Sequence, residues 1–303
     1  MDSNHLKKRQ HYVWREYLRG WATPDNPERV FCLRNGKEPF PATLMNLAQE
    51  KYFYQIEELS AEEIDFIKIF AINDQNPFIR EIDMNWLSTY CAVFSYIRLF
   101  ESLGYKDEQF SKLLTVNAGE EFQSKIEESA SYLIDMLRND DISFFSEEQG
   151  RIDFSLYITN QYFRTKNIKE KIKNTASKIQ SIDFEKCWKV LRYIMASNLA
   201  YSIAIVHADY HMCLLKNDTS INFITGDQPV INSKVTEEEL GKKISELDFY
   251  YPISPSRAIL ITKDSDKLGI IQVSEKDVLH FNHLIKVHSL EELFALNEKD
   301  FDA

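Results

Sequence analysis

No proline occurs between Pro77 and Pro229, and only four glycines fall in that span. A proline inside a helix removes a backbone donor and clashes with the preceding turn, so a stretch this long without one permits a bundle of long helices. The local signals agree. Ser60-Ala61-Glu62-Glu63 is a capping box, and Ile64, Ile67 and Phe70 follow it at helical spacing. Further helices are expected over about 84–102, stopped by Gly104, and over about 108–137, 153–165 and 184–205.

The two ends read differently. Residues 1–57 form an arm too short to make its own core. His11-Tyr12-Val13-Trp14-Arg15-Glu16-Tyr17-Leu18 is dense in rings, and the alternating Arg29 to Arg34 run is followed by the hairpin signal Asn35-Gly36. Pro39 and Pro41 keep the next stretch extended. After residue 208 the period shortens again. Met212 to Leu215, a polar turn, and then Asn222-Phe223-Ile224-Thr225 read as a β-hairpin ending at Gly226-Asp227-Gln228-Pro229-Val230, with one carboxylate at the tip. Strands over 248–252, 257–262 and 270–273 follow, then a last helix from Ser274 with Val278, Phe281 and Ile285 on one face. The expectation is a single α+β domain. Its helical middle (58–207) carries a small, mostly antiparallel sheet in the C-terminal part (208–303), and the N-terminal arm (1–57) packs on both.

With 44% hydrophobic and 27% charged residues, this is the composition of a globular chain. A net charge of −11 makes it a poor non-specific binder of nucleic acid or anionic membrane, although residues 1–55 carry nine Lys or Arg against six Asp or Glu. The four cysteines are widely spaced, without a Cys-x-x-Cys pair, which fits a reducing cytoplasm and argues against zinc-knuckle and redox motifs. Met1 to Arg9 has no apolar segment behind its charges, so no signal peptide is expected. The most apolar run, Ile194 to Val206, is too short and polar to span a bilayer. A cytoplasmic protein without a membrane partner is therefore expected.

Three patterns carry chemistry. His11 among its aromatic neighbours is a candidate general base, the competing reading being a half-buried ring. Gln161 and Arg164 stand at i and i+3 on a helix, and an amide beside a guanidinium suits a carboxylate or phosphate. Lys166, Lys169, Lys171, Lys173 and Lys178 follow as the one dense basic run, which also reads as a solvated helix face. His207 and His211, four apart, could share a helix face and a metal, but no third ligand has suitable spacing, so a junction between helix and strand is preferred. Phosphate-loop, dinucleotide-binding and nucleophile-elbow motifs are missing.

Taken together, His11-Tyr12-Val13, Tyr17-Leu18, Gln161 with Arg164-Thr165, Thr225-Gly226-Asp227-Gln228-Pro229-Val230, Pro252-Ile253-Ser254-Pro255 and Asn282 resemble a bacterial domain-of-unknown-function family, number 4238. Its pattern reads His-Tyr-Val-Pro, Gln-x-x-Arg-Thr and Thr-Ser-Asp-x-Pro-Val. Here Trp14 replaces the proline and Gly226 the serine. The resemblance implies a shape and a set of positions, and no activity.

The site expected from these readings unites His11, Gln161, Arg164 and Asp227. On the first functional reading it belongs to an enzyme acting on a phosphorylated or nucleic-acid substrate, a nuclease-like defence or toxin effector. Arg164 holds an anion, His11 moves a proton, and Asp227 orients His11 or binds a metal. On the second, the same residues are a buried polar network in a non-catalytic binding or regulatory module. The motifs assign no cofactor and no metal-ligand set.

Overall fold

The computed structural model describes residues 6–23, 25–72, 76–176, 182–207, 209–234 and 246–302. Lys178 of the basic run and Ala208 of the His207–His211 stretch lie outside them. The fold is α+β.

Helix α1 (Arg15–Leu18) is a single turn in the arm. The helical middle consists of α2 (Ala61–Ala71), α3 (Pro77–Ser102), α4 (Glu108–Arg138), α5 (Glu148–Phe163), α6 (Lys166–Ala176) and α7 (Phe184–Tyr201). The capping box predicted at Ser60 and Glu63 forms. Helix α3 starts earlier than hydrophobic spacing indicates, because Asn76 caps it and Pro77 occupies the first turn, where a missing N–H costs nothing. Helix α7 runs into a π-helical turn, Ser202–Val206. Helix α5 packs on α7 and α4. No helix among the described residues is long and apolar enough to cross a membrane.

Among the described residues the strands form three sheets. In the arm, β1 (Arg9–His11) pairs antiparallel with β4 (Gln49–Lys51). A five-stranded sheet has the order β10 (Gly269–Gln272), β5 (His211–Lys216), β9 (Arg257–Thr262), β8 (Phe249–Ser254), β7 (Ile231–Asn232), and only the β10–β5 pair is parallel. A four-stranded antiparallel sheet has the order β3 (Phe40–Thr43), β2 (Arg29–Arg34), β11 (Glu292–Ala295), β6 (Thr225–Gly226). The arm thus contributes two strands to a sheet completed by the C-terminal part. Asn35 and Gly36 follow β2 with φ of 52° and 67°, the left-handed backbone their residue types favour.

The hairpin expected between 212–215 and 222–225 does not form. Strand β5 is flanked by β9 and β10, whereas Thr225–Gly226 pairs with β11 in the other sheet. A polar turn between two apolar runs marks a reversal of the chain but not the partner of each run. The last helix, α8 (Glu275–His288), starts after the predicted Ser274, which forms a capping box with Asp277, and precedes β11.

The arm is held by burial. Tyr17, Leu18 and Trp21 are fully buried in one core cluster with Leu133 and Leu137 of α4 and Tyr251 and Ile253 of β8, and Tyr17 stacks on Tyr251. Each such side chain contributes roughly 1.5–3 kcal/mol on leaving water. The arm therefore sits on both the helices and the sheet, and His11 is carried to their junction.

Candidate functional site at the arm–helix junction

Helix α4 supplies the floor of the site. Its buried apolar residues include Val116, Ile126, Ala130, Leu133 and Leu137, and Gln123 occupies a buried position in the same stripe. Glu120, Gln123 and Glu127, at i, i+3 and i+7, share this face. Gly119 lets the arm approach, since a Cβ there would lie 2.1 Å from the Tyr54 carbonyl oxygen. The arm is also pinned by Gln10, whose amide nitrogen donates to Val116 O (3.1 Å) and whose amide oxygen accepts from Tyr54 N (2.6 Å). Tyr54 OH in turn donates to His11 O (2.6 Å). This docking leaves an open cleft of about 210 Å³. His11, Glu120, Gln123 and Glu127 form its chemical side, Trp14 and Tyr54 its aromatic walls, and Arg15 and Arg19 its cationic rim.

Helix α5 ends beneath this cleft. Arg164, its C-cap residue, is completely buried. Its Nη1 donates to Glu127 Oε1 (2.5 Å) and its Nη2 to Gln161 Oε1. Gln161 Nε2 donates to Tyr12 O (3.2 Å), and Asn160 Nδ2 to Gln123 Oε1 (2.9 Å). Burial opposes charge on Arg164, but the Tyr54 and Glu127 surroundings keep its pKa above the ordinary arginine value. Gln161 and Arg164 therefore do meet, as the helical spacing predicts, yet the guanidinium fork is occupied within the protein rather than offered to a ligand.

Asp227 is brought to the same seam but not to these partners. It is 4% exposed, and its carboxylate accepts three backbone N–H groups from the turn after α8: Leu290 (2.8 Å), Glu291 (2.7 Å) and Glu292 (3.2 Å). Burial pushes it up to about 6 against those three donors. Neither Gln161, Arg164 nor His11 bonds to it, which differs from the pairing the sequence suggests. The turn satisfies it locally, because consecutive amides close around a carboxylate as a ring of donors. The link to the Gln161 motif runs one residue on each side, through Thr165 Oγ1 donating to Gln228 Oε1.

Two of the four keep unused capacity: Arg164 Nε, buried inside the helical middle, and the ring of His11, which lines the cleft. The His11 Nε2 is buried and has no partner. Burial, with Arg15 beside it, lowers its pKa to about 4, so the ring is neutral at physiological pH. Across the cleft, Glu120 Oε2 is likewise buried and unpartnered. Burial and neighbouring Glu127 push Glu120 up to about 7. A neutral imidazole and a carboxyl titrating near 7 in one cleft can accept and donate protons.

The cations divide clearly. Arg164 is matched by Glu127, and Arg19 by Glu16 and Glu28. Arg15 makes no ion pair among the described residues, where its Nη1 contacts only Met45 Sδ at 3.6 Å. Arg192 is 2% exposed and also lacks a carboxylate within 4 Å among the described residues. Its guanidinium lies 4.5 Å from the ring centroids of Tyr54 and Tyr193 and donates to Tyr193 OH (2.6 Å). The basic run is different: Lys166 pairs with Glu291 and Glu50, and Lys169 and Lys173 with Glu185. It is no free basic track. His211 lies on a strand, with Nε2 against the carbonyls of Asp264 and Lys267 (3.0 Å each), so it shares no helix face with His207. No group of three His, Cys, Asp or Glu suited to a metal occurs among the described residues.

The model of the DUF4238 family, described as "Protein of unknown function", matches residues 9–299. The chain belongs to the DUF4238 family. No curated protein and no solved structure matches it. Two departures of this DUF4238 chain from the motif pattern have structural counterparts. Trp14 has a φ of −65°, the angle proline imposes, so the arm turns as a proline would require while presenting an indole. At Gly226 an added Cβ would lie 2.0 Å from Ser289 Oγ, so the Ser289 hydroxyl fills the space of a serine at 226.

Glu120, Gln123, Glu127, Arg15 and Arg192 were not singled out by sequence reasoning. One signal was available: Gln123 interrupts the apolar stripe of α4 at a core position, with carboxylates three before and four after it. No comparable signal marks Arg192, whose setting depends on the adjacent Tyr193 and on Tyr54, distant in sequence.

Proposed function

We propose that this chain is an enzyme acting on a phosphate-bearing substrate, nucleic acid included, in the cleft between the arm and the helical middle. The observation that carries the reading is the pairing of unmet needs there. His11 Nε2 and Glu120 Oε2 are buried without partners; Arg15, which lines the cleft, and Arg192, behind its Tyr54 wall, have no carboxylate within 4 Å among the described residues. Buried polar atoms are ordinarily satisfied, so a cluster of exceptions in a cleft points to a ligand. Arg15 would meet the anion at the mouth, and Arg192, behind Tyr54, would add positive potential. His11 would accept a proton and Glu120 would return one. Arg164, Gln161 and Asp227 would be positioning residues. Four free cysteines, three of them buried, accord with a cytoplasmic setting, where such an activity would suit a nuclease-like bacterial effector.

A second reading has one observation in its favour. Gln10 and Gln161 spend hydrogen bonds on tying the arm to the helices, Arg164 on joining α5 to α4, and Asp227 on the turn after α8. On that reading the cluster is structural and the protein a binding or regulatory module. A panel of phosphomonoesters, dinucleotides and single-stranded DNA and RNA, at low salt with and without divalent cations, separates the two. Turnover that falls at least about 100-fold in both His11→Ala and Glu120→Gln supports the enzyme. A folded wild type without turnover on any member removes it.

A further inference from the structure

Trp14 is the feature of the cleft that proton transfer and anion attraction leave unused. The other three tryptophans are committed inside the protein. Trp21 is fully buried and donates to Phe223 O (2.9 Å). Trp86 stacks on Tyr193 with centroids 4.8 Å apart, and Trp188 stacks on Phe184 at 5.7 Å. Trp14 is partly exposed, lines the cleft, and has one ring neighbour among the described residues, Tyr157, in a T-shaped contact (5.9 Å, 67°). No ring there lies parallel to it. It is rigidly placed, because Val13 before it is fully buried and α1 begins directly after it. The next residue is Arg15, without an ion pair among the described residues. An aromatic face and an unpaired guanidinium on adjacent residues, in one small cleft, match a planar ring joined to a phosphate.

Resting on the reading of this cleft as the site, we propose that it takes its substrate as a single unpaired nucleotide, with the base stacked on Trp14 and the phosphate at Arg15. A volume of about 210 Å³ lies below the roughly 300–1,000 Å³ of pockets that enclose drug-sized ligands. Being open to one side, it can seat the base and phosphate of one nucleotide with the rest in solvent, and it is far too small for a duplex. The source of that unit is a free mononucleotide or an unpaired residue of a strand, and stacking of this kind tolerates any base because every base has a π-face.

The test is equilibrium binding to the full chain of ribose 5-phosphate, the four nucleoside 5′-monophosphates, a short single strand and a blunt duplex. Wild type is expected to bind the nucleotides at least about 5-fold tighter than ribose 5-phosphate, the lower range of one base–aromatic stack. Trp14→Pro removes the ring while suiting the φ of −65°, and should abolish that preference yet leave ribose 5-phosphate affinity within about 2-fold. Trp14→Phe should retain most of it, and melting temperatures confirm that both variants fold. A single strand binding more tightly than mononucleotides names the strand as source; equal or weaker binding names the free nucleotide. Ribose 5-phosphate and nucleotides bound equally well would overturn the inference but spare the phosphate reading. So would a nucleotide preference that survives Trp14→Pro, or a duplex bound as tightly as a single strand. No binding of any ligand by wild type would overturn both.

Discussion

Glu120→Gln should make the protein more stable, and increasingly so as pH rises. The carboxyl titrates near 4.5 in a solvated chain and near 7 in the fold, with burial as the main cause and Glu127 as the next. Between those values the folded state binds the proton and the unfolded state does not, so wild type loses stability as pH rises. At about 1.36 kcal/mol per pKa unit, the gap corresponds to about 3 kcal/mol, or about 2 kcal/mol after allowance for the partial exposure of the side chain. Glutamine keeps the shape and cannot ionise. Urea unfolding of both proteins at pH 4.5 and pH 8 isolates the effect, because Asp227, His11 and His288 titrate in both and cancel. The stability difference, variant minus wild type, should grow by about 2–3 kcal/mol from the lower pH to the higher. A difference that stays constant or moves the other way would mean that Glu120 is solvated or paired, and the reasoning behind the cleft would fail. Residues retained against stability are the ones a functional site keeps.

Two further predictions concern the scaffold. Arg164→Ala leaves the Glu127 carboxylate and the Gln161 amide oxygen without their donor, and should cost about 3–5 kcal/mol in chemical denaturation; a loss below about 1 kcal/mol would show the pair to be dispensable. Gly226→Ser should cost about 1–3 kcal/mol by driving its Cβ against Ser289 Oγ and the Glu292 carbonyl oxygen, and Ser289→Gly in the same chain should recover part of it by removing the first of these clashes. A single variant as stable as wild type would contradict that account.

The elements were legible where one local signal decides them. The capping boxes at Ser60 and Ser274, the turn at Asn35-Gly36 and the long proline-free helices follow from short-range chemistry, and each forms. The partners of strands were not legible. Met212–Leu215 and Thr225 carry the same apolar signature but enter different sheets, the first between β9 and β10 and the second beside β11. The same division holds in the site. Gln161 and Arg164 lie one turn apart, so their contact could be read from spacing. Asp227 was assigned side-chain donors because a buried carboxylate needs partners, but the turn at Leu290–Glu292 met that need with backbone amides that every residue type possesses. Sequence reveals which side chains could donate and is silent about which peptide groups will. Arg192 was invisible for a related reason, as its environment is two aromatic faces rather than a charge.

The measurement that reaches the central claim most directly is an NMR titration of the His11 ring, one of seven histidines, assigned by its loss in His11→Gln. Docking of the arm buries this ring beside Arg15, at the lining of the cleft, with Nε2 unpartnered. A midpoint near 4 and a neutral ring throughout pH 5–8 are therefore expected. A midpoint near the ordinary 6.5 or above would place the ring in solvent or against a carboxylate, and would contradict both the cleft and the function assigned to it.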